Sequence, residues 1–357
     1  MNVRFERWPE RVTGWEPPAG WRRVLAVDAH TEGEPLRVIV AGFPDLAGDS
    51  MLDKRRAARA RYDELRRSLM WEPRGHADMY GCIVGPPVTP EAHVGALFMH
   101  NGGFSTMCGH GIIGLATVLV ECGLIEANGP EVRVGIDSPA GFIEARARVA
   151  AAGTPGSRVT RVRFTNVPSF VAGLDLSVDV RGVGRVRYDL AYGGAFYAYV
   201  DATAVALRLE AAEHDRIVDL GRRIKEAVQS AAPPVHPESE DLGFLYGTIF
   251  VGEAHDPDSH SRNVCVFADG EVDRSPTGTG VSGRLAIHHA RGELAVGDGI
   301  RVESLLGTTF DGRVLGTARV GEHAAVIPEI EGRAFITGRN EILIDPEDPL
   351  ACGFLLR

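Results

Sequence analysis

Apolar and polar positions alternate in short runs near the start of each half of the chain: Trp21 to Val27, Leu36 to Val40, Arg185 to Ala191 and Phe196 to Val200. A period of two reads as strand. Between the runs stand Gly33 in the first half and Gly193 with Gly194 in the second, which predicts tight turns or backbone brought close to a ligand. The stretches Gly109 to Glu121 and Gly278 to Ala290 predict helices. The first is apolar on all sides through Ile112, Ile113, Leu115, Val118, Leu119 and Val120, so it is expected to be buried. Gly123 and Gly292, just past the two ends, predict helix C-caps. From Lys54 to Arg67, Arg alternates with Ala, Tyr and Leu at helical spacing, which predicts a solvated amphipathic helix. The Pro-rich stretch Ala231 to Glu240 predicts a surface loop.

The pattern is a duplication. The segment from Cys108 to Gly114 lies over that from Thr277 to Gly283 at an offset of 169 residues, and the same offset carries Gly123 onto Gly292. The chain therefore reads as two similar α/β halves. Their junction is expected near Val171 to Val183, where the repeat restarts, with the site in the crevice between them.

Composition narrows the function. A length of 357 residues with 44% apolar content supplies two cores of ordinary size. A net charge of −10 without a basic face disfavours nucleic-acid binding. The five cysteines, Cys82, Cys108, Cys122, Cys265 and Cys352, are widely separated and lack the paired spacing of metal sites, so no metal is expected and a reducing cytoplasm fits. Trp8, Pro9, Trp15, Pro17 and Pro18 occupy the place of a secretory apolar region, and no segment has the length of a membrane span. The only lysines, Lys54 and Lys225, are expected to face solvent, which argues against pyridoxal phosphate. No cofactor is expected.

Each repeat holds G-x-G-x-x-G at the start of a helix: Gly109, Gly111 and Gly114, then Gly278, Gly280 and Gly283. This is also the dinucleotide fingerprint, and Asp137 and Glu303 stand at a plausible distance for a ribose. The context differs, since polar residues rather than a buried apolar strand precede each glycine run. What remains is two helix N-termini whose free N–H groups and positive dipole ends suit a carboxylate. Before the first glycine run stands Cys108, whose pKa a helix N-terminus is expected to lower, making a thiolate base. His110 is expected to orient or polarise, or else to serve as a local hydrogen-bonding residue. Cys82, Cys122 and Cys265 are expected to be buried structural thiols. The equivalent of Cys108 is Thr277, whose hydroxyl can hydrogen-bond but cannot take a carbon-bound proton. Asp273 suits an ammonium group, completing a receptor for a zwitterionic amino acid, or else caps the turn at Ser275 and Pro276.

The segments Met107 to Gly111, Asp273 to Gly280, Asp28 to Pro35, Glu72 to Asp78, Asp189 to Gly194 and Phe335 to Gly338 together resemble the proline racemase superfamily over nearly the whole chain. The resemblance implies a diaminopimelate-epimerase-like α/β (α+β) fold, with two pseudo-symmetric halves, each a sheet curled around a central helix. It implies an extension over residues 1–20, a first half over 21–175 joined by 336–357, and a second half over 176–335. It places carboxylate contacts on Gly109, His110, Gly278 and Thr279, the amino-group ligand on Asp273 and the first catalytic cysteine on Cys108, in a homodimer. The departure is Thr277, where racemases of the superfamily carry a second cysteine. A Cys/Thr pair resembles the members that dehydrate trans-3-hydroxy-L-proline, and stereochemistry agrees. Inversion needs an acid and a base on opposite faces of Cα, whereas the α-hydrogen and the 3-hydroxyl of this substrate share one face. The thiol, or His110, would then protonate the departing hydroxyl. Racemisation of proline or 4-hydroxyproline, and binding of an amino acid without turnover, stay open as alternatives.

Overall fold

The computed structural model describes residues 8–154 and 156–356; the first seven residues of the expected N-terminal extension lie outside them. A short helix α1 (Trp8–Thr13) precedes the hairpin β1 (Arg22–Thr31) and β2 (Glu34–Ala41). Its turn places Glu32 at φ +46° and Gly33 at φ +101°, the left-handed pair a two-residue hairpin demands. Helices α2 (Met51–Arg61) and α3 (Asp63–Met70) cross to β3 (Tyr80–Gly85), parallel to β2. Antiparallel β4 (Val94–His100) and β5 (Gly103–Phe104) follow. Helix α4 (Gly109–Glu121) then crosses to β6 (Glu131–Ser138), parallel to β4, and β7 (Gly141–Ala150) and β8 (Arg158–Thr165) continue antiparallel.

The pairing scheme then recurs. After β9 (Ser169–Val180) come the hairpin β10 (Gly184–Tyr192) and β11 (Phe196–Asp201), the crossover α5 (His214–Ala231), and β12 (Leu245–Gly252) parallel to β11. Antiparallel β13 (Ser261–Phe267) and β14 (Glu271–Asp273) precede α6 (Gly278–Ala290), which crosses to β15 (Gly299–Glu303), parallel to β13. Strands β16 (Thr309–Val320) and β17 (His323–Gly332) match β7 and β8. The chain ends by sending β18 (Ala334–Ile344) back along β1, the place that β9 takes along β10. Pairing of β8 with β17 joins the two sets.

The two central helices explain why the sheets curl. Every residue of α4 from Gly109 to Val120 is buried, so strands must wrap it on all sides. In α6 burial runs from Gly278 to Ile287. Both helices end at a left-handed glycine. Gly123 and Gly292 adopt φ +75°, and the N–H groups of Ile125 and Glu293 turn back onto the carbonyls of Leu119 and His288.

Two expectations need correction. The stretch Lys54 to Arg67 is not one solvated helix but two, broken at Tyr62, because the chain turns inward there to bury Leu69 and Met70. Arg66 goes in with them and donates to the carbonyls of His100 (2.7 Å) and Asn101 (2.6 Å). Lys225 is not simply solvent-facing: it is half-buried, with Nζ donating to the Ala268 carbonyl at 2.6 Å. No described helix is long and apolar enough to cross a membrane.

Candidate active site

The fold brings the N-termini of α4 and α6 together, glycine against glycine, at Gly109 and Gly278. Cys108 is the N-cap of α4, and its Sγ accepts the Gly111 N–H at 3.1 Å. The first intrahelical bond runs from Ile112 N–H to the Cys108 carbonyl, so the N–H groups of Gly109 and His110 precede it. In α6 that bond is from Val281 N–H to the Thr277 carbonyl, which leaves Gly278 and Thr279 in the same position. Thr277 holds φ +66°, a left-handed conformation rare for a β-branched residue, and such strain gathers at functional sites. Its hydroxyl is buried without a partner of good geometry, although the Asp273 carboxylate and the Cys265 thiol flank it.

All seven residues singled out from the sequence line one cavity: Cys108, Gly109, His110, Asp273, Thr277, Gly278 and Thr279. Larger clefts elsewhere, such as the one between α2, α3 and α5, have no convergent helix ends. Among the described residues no group of His, Cys, Asp and Glu is placed to hold a metal ion. Asp137 and Glu303 are occupied structurally. Asp137 accepts the N–H groups of Val88 and Thr89, and Glu303 those of His255 and Asp256 as well as the Arg262 guanidinium. Neither is left for a ribose.

The electrostatics correct one expectation. The helix end does not leave Cys108 with a lowered pKa: burial pushes the thiol well above its ordinary value, while the Gly111 N–H and the Tyr80 hydroxyl pull it down and the Asp273 and Glu34 carboxyls push it up. The magnitudes decide this. A helix terminus contributes on the order of 1 kcal/mol, under one pKa unit, whereas full burial moves a group by up to roughly 3–5 units. His110 lies with Nδ1 3.2 Å from Cys108 Sγ, and burial lowers it to about 3, so it is a neutral imidazole with no imidazolium proton to give. Burial also raises Asp273 to about 6, against the pull of its bond from the Ser275 N–H. That carboxyl does cap the turn, accepting the Ser275 N–H at 2.8 Å, and still lines the cavity.

Several lining residues lie beyond the reach of the sequence patterns. Tyr80, Tyr197 and Tyr246 put three phenols around the cavity, beside Met107 and Phe267. Tyr197 bonds the Thr279 hydroxyl at 2.7 Å. Cys265 is buried, as expected, and lines the cavity as well, whereas Cys122 is exposed rather than buried. Gly193 serves an approach of backbone to helix: a Cβ there would meet the Thr279 carbonyl at 2.2 Å. Behind Asp273, the N–H of Arg274 donates to the fully buried Glu34 at 2.7 Å, which ties the Asp28 to Pro35 segment to the second repeat.

Comparison with known proteins agrees with this geometry. The family model described as proline racemase matches residues 26–355. A protein of Burkholderia ambifaria named trans-3-hydroxy-L-proline dehydratase is 47% identical over 336 residues, covering 94% of this chain and 99% of that protein. One of the same name from Colwellia psychrerythraea is 44% identical over 355 residues, covering 99% and 98%. The crystal structure of a hydroxyproline epimerase from Agrobacterium vitis, with bound trans-4-hydroxy-L-proline, superposes with a TM-score of 0.87 at 33% identity, covering 94% and 96%.

Proposed function

This chain is a member of the proline racemase family, and on that premise we propose that it dehydrates trans-3-hydroxy-L-proline to Δ1-pyrroline-2-carboxylate with Cys108 as the base. One observation carries the reading: a thiol stands at the N-cap position of one of the two facing helices and an alcohol, that of Thr277, at the N-cap position of the other. The names of the Burkholderia and Colwellia relatives support the same substrate and reaction.

The substrate carboxylate sits on the N–H groups of Gly109, His110, Gly278 and Thr279, where two positive helix ends also stabilise charge that develops at Cα. Asp273 receives the ammonium group. That contact neutralises one of the anions that hold the Cys108 thiol protonated, so substrate binding itself favours the thiolate. Cys108 then takes the α-proton. The C–H electron pair becomes the C2=C3 double bond, the C3–O bond breaks with its electron pair on oxygen, and the proton removed by Cys108 is passed to that oxygen, so that water leaves and the thiolate is restored. The enamine gains a proton at C3 and loses one from nitrogen to give the imine. Thr277 hydrogen-bonds but delivers no proton to the opposite face, so configuration is not inverted.

The test is product identification after incubation with trans-3-hydroxy-L-proline in deuterated water. Δ1-Pyrroline-2-carboxylate is expected; recovery of the Cα-epimer without it would establish epimerisation instead. We further propose a cytoplasmic homodimer, the assembly that the family resemblance implies. Its five cysteines are all free thiols, which suits a reducing compartment, and sedimentation velocity tests the dimer.

A further inference from the structure

Loss of the 3-hydroxyl needs a proton donor, because hydroxide is a poor leaving group. His110 is neutral and Asp273 faces the ammonium. Tyr80 is differently placed. It opens β3, is 2% exposed, and its ring meets the edge of His110 at 4.6 Å between centroids. Its hydroxyl lies 2.7 Å from Ser105 Oγ and 3.4 Å from the Tyr246 hydroxyl, pulls the Cys108 thiol pKa down, and lines the same cavity as that thiol.

We propose that Tyr80 is a further catalytic residue, the phenol that passes a proton to the departing 3-hydroxyl and regains one from Cys108. This rests on the dehydratase reading above. The α-proton goes to Cys108, whose S–H bond forms as the C–H pair becomes the C2=C3 double bond. As C3–O breaks and oxygen keeps its electron pair, the Tyr80 O–H proton moves to that oxygen and the Cys108 S–H proton moves to Tyr80. Water leaves, and thiolate and phenol are both restored. Nothing outside the site is consumed. The base acts at Cα while the leaving oxygen is on the next carbon, and a phenol that lines the same cavity as the thiol, packed on the imidazole beside it, is placed to span that gap. Burial keeps Tyr80 well above its ordinary pKa, so its proton is in place at any working pH and the two transfers move together. Ser105 and Tyr246 fix the hydroxyl.

The test separates elimination from deprotonation. With trans-3-hydroxy-L-proline in deuterated water, Tyr80→Phe should lower the kcat of dehydration by roughly 30-fold or more. Unconverted substrate recovered from that variant should carry deuterium at Cα with retained configuration, because Cys108 returns a deuteron before the hydroxyl departs. Substrate recovered from the parent should carry far less. Dehydration within threefold of the parent would overturn the proposal, and so would a loss of dehydration without deuterium, since Tyr80 would then merely support Cys108. Should Tyr80→Phe not fold, Ser105→Ala loosens the same phenol and should shift the ratio of exchange to dehydration in the same direction, an unchanged ratio again refuting the relay. A parent that exchanges but forms no pyrroline would overturn the dehydratase reading itself, whereas the variant results bear on Tyr80 alone.

Discussion

Gly109 and Gly278 lie backbone against backbone: a Cβ on Gly109 would stand 2.6 Å from the Gly278 Cα, and one on Gly278 would stand 2.8 Å from the Gly109 Cα. No side chain fits between the two helix ends, so their convergence on one small anion depends on both residues lacking one. Gly109→Ala or Gly278→Ala must push the helices apart, at a packing cost of roughly 1–3 kcal/mol. Because α4 is buried along its length, the fold survives and the carboxylate site does not. We expect kcat/KM to fall at least 100-fold while far-ultraviolet circular dichroism stays at the parent's level. A variant with near-normal kcat/KM would show that the two termini do not share a ligand.

Cys108→Ser removes the base but keeps a small polar cap that can still accept the Gly111 N–H. Dehydration and α-hydrogen exchange should both fall by about three orders of magnitude or more, because an alcohol is not ionised near neutral pH. Binding should persist, since the helix N–H groups and Asp273 are untouched. Isothermal titration with trans-3-hydroxy-L-proline checks this, and an active serine variant would remove Cys108 from its role.

Thr277→Cys supplies the missing thiol. Thr277 sits at φ +66° with a β-branched side chain, so an unbranched cysteine is accommodated with less strain than the native residue. Its sulfur would line the cavity on α6 as Cys108 does on α4. The variant should gain α-epimerisation of proline or 4-hydroxyproline, read as circular-dichroism decay of the pure L-isomer. Absence of any D-isomer from a folded variant would mean that the second helix end does not face Cα.

Much of this site was legible from the sequence, and the reason is physical. A helix that begins at glycine and follows a polar loop writes its N-terminus into consecutive residues, so Cys108 and Thr277 could be found together with Gly109, Gly278 and the cap glycines Gly123 and Gly292. The same holds for the strands on either side of Gly33 and of Gly194. Tyr80, Tyr197, Tyr246 and Cys265 were not legible, because each comes from the face of a strand whose orientation is set only when β3, β11, β12 and β13 pair. The thiol pKa failed for a related reason. A cap motif reports the helix dipole, but burial is a property of the assembled halves, and it outweighs the dipole here. Arg66 likewise enters the core only because Tyr62 breaks the helix around it.

The raised thiol gives a pH signature. In the free enzyme Cys108 faces the Gly111 N–H, the Tyr80 hydroxyl, neutral His110, and the Asp273 and Glu34 carboxyls, and burial keeps it protonated through neutrality. The thiolate fraction therefore grows with pH, and kcat/KM should rise toward the alkaline side. Once the substrate ammonium pairs with Asp273, the rising limb in kcat should lie at lower pH than that in kcat/KM. Full pH–rate profiles of both parameters check this, and coincident limbs would mean that binding leaves the thiol unaffected.

Asp273 carries the opposite tension, between stability and function. Its carboxyl is raised from 3.8 to about 6 by burial, so the folded protein holds this proton more tightly than the unfolded chain does. The favourable contribution is present in full below about pH 4 and is lost as pH rises through about 6, which leaves an ionised buried carboxylate that costs the fold about 3 kcal/mol at pH 8. Asp273→Asn keeps an oxygen for the Ser275 N–H and removes that charge. The variant should therefore be more stable than the parent by roughly 2–3 kcal/mol at pH 8 and nearly equal to it at pH 4, read from urea midpoints at the two pH values. It should also lose most of its activity, because no anion remains to receive the ammonium group or to release its hold on the thiol when substrate arrives. The charge is thus costly in the empty site and useful only when a cation enters it, as expected of a residue retained for binding rather than for folding. Equal effects at both pH values would mean that Asp273 is not strained in the free protein, and the coupling between substrate ammonium and the Cys108 thiol would lose its source.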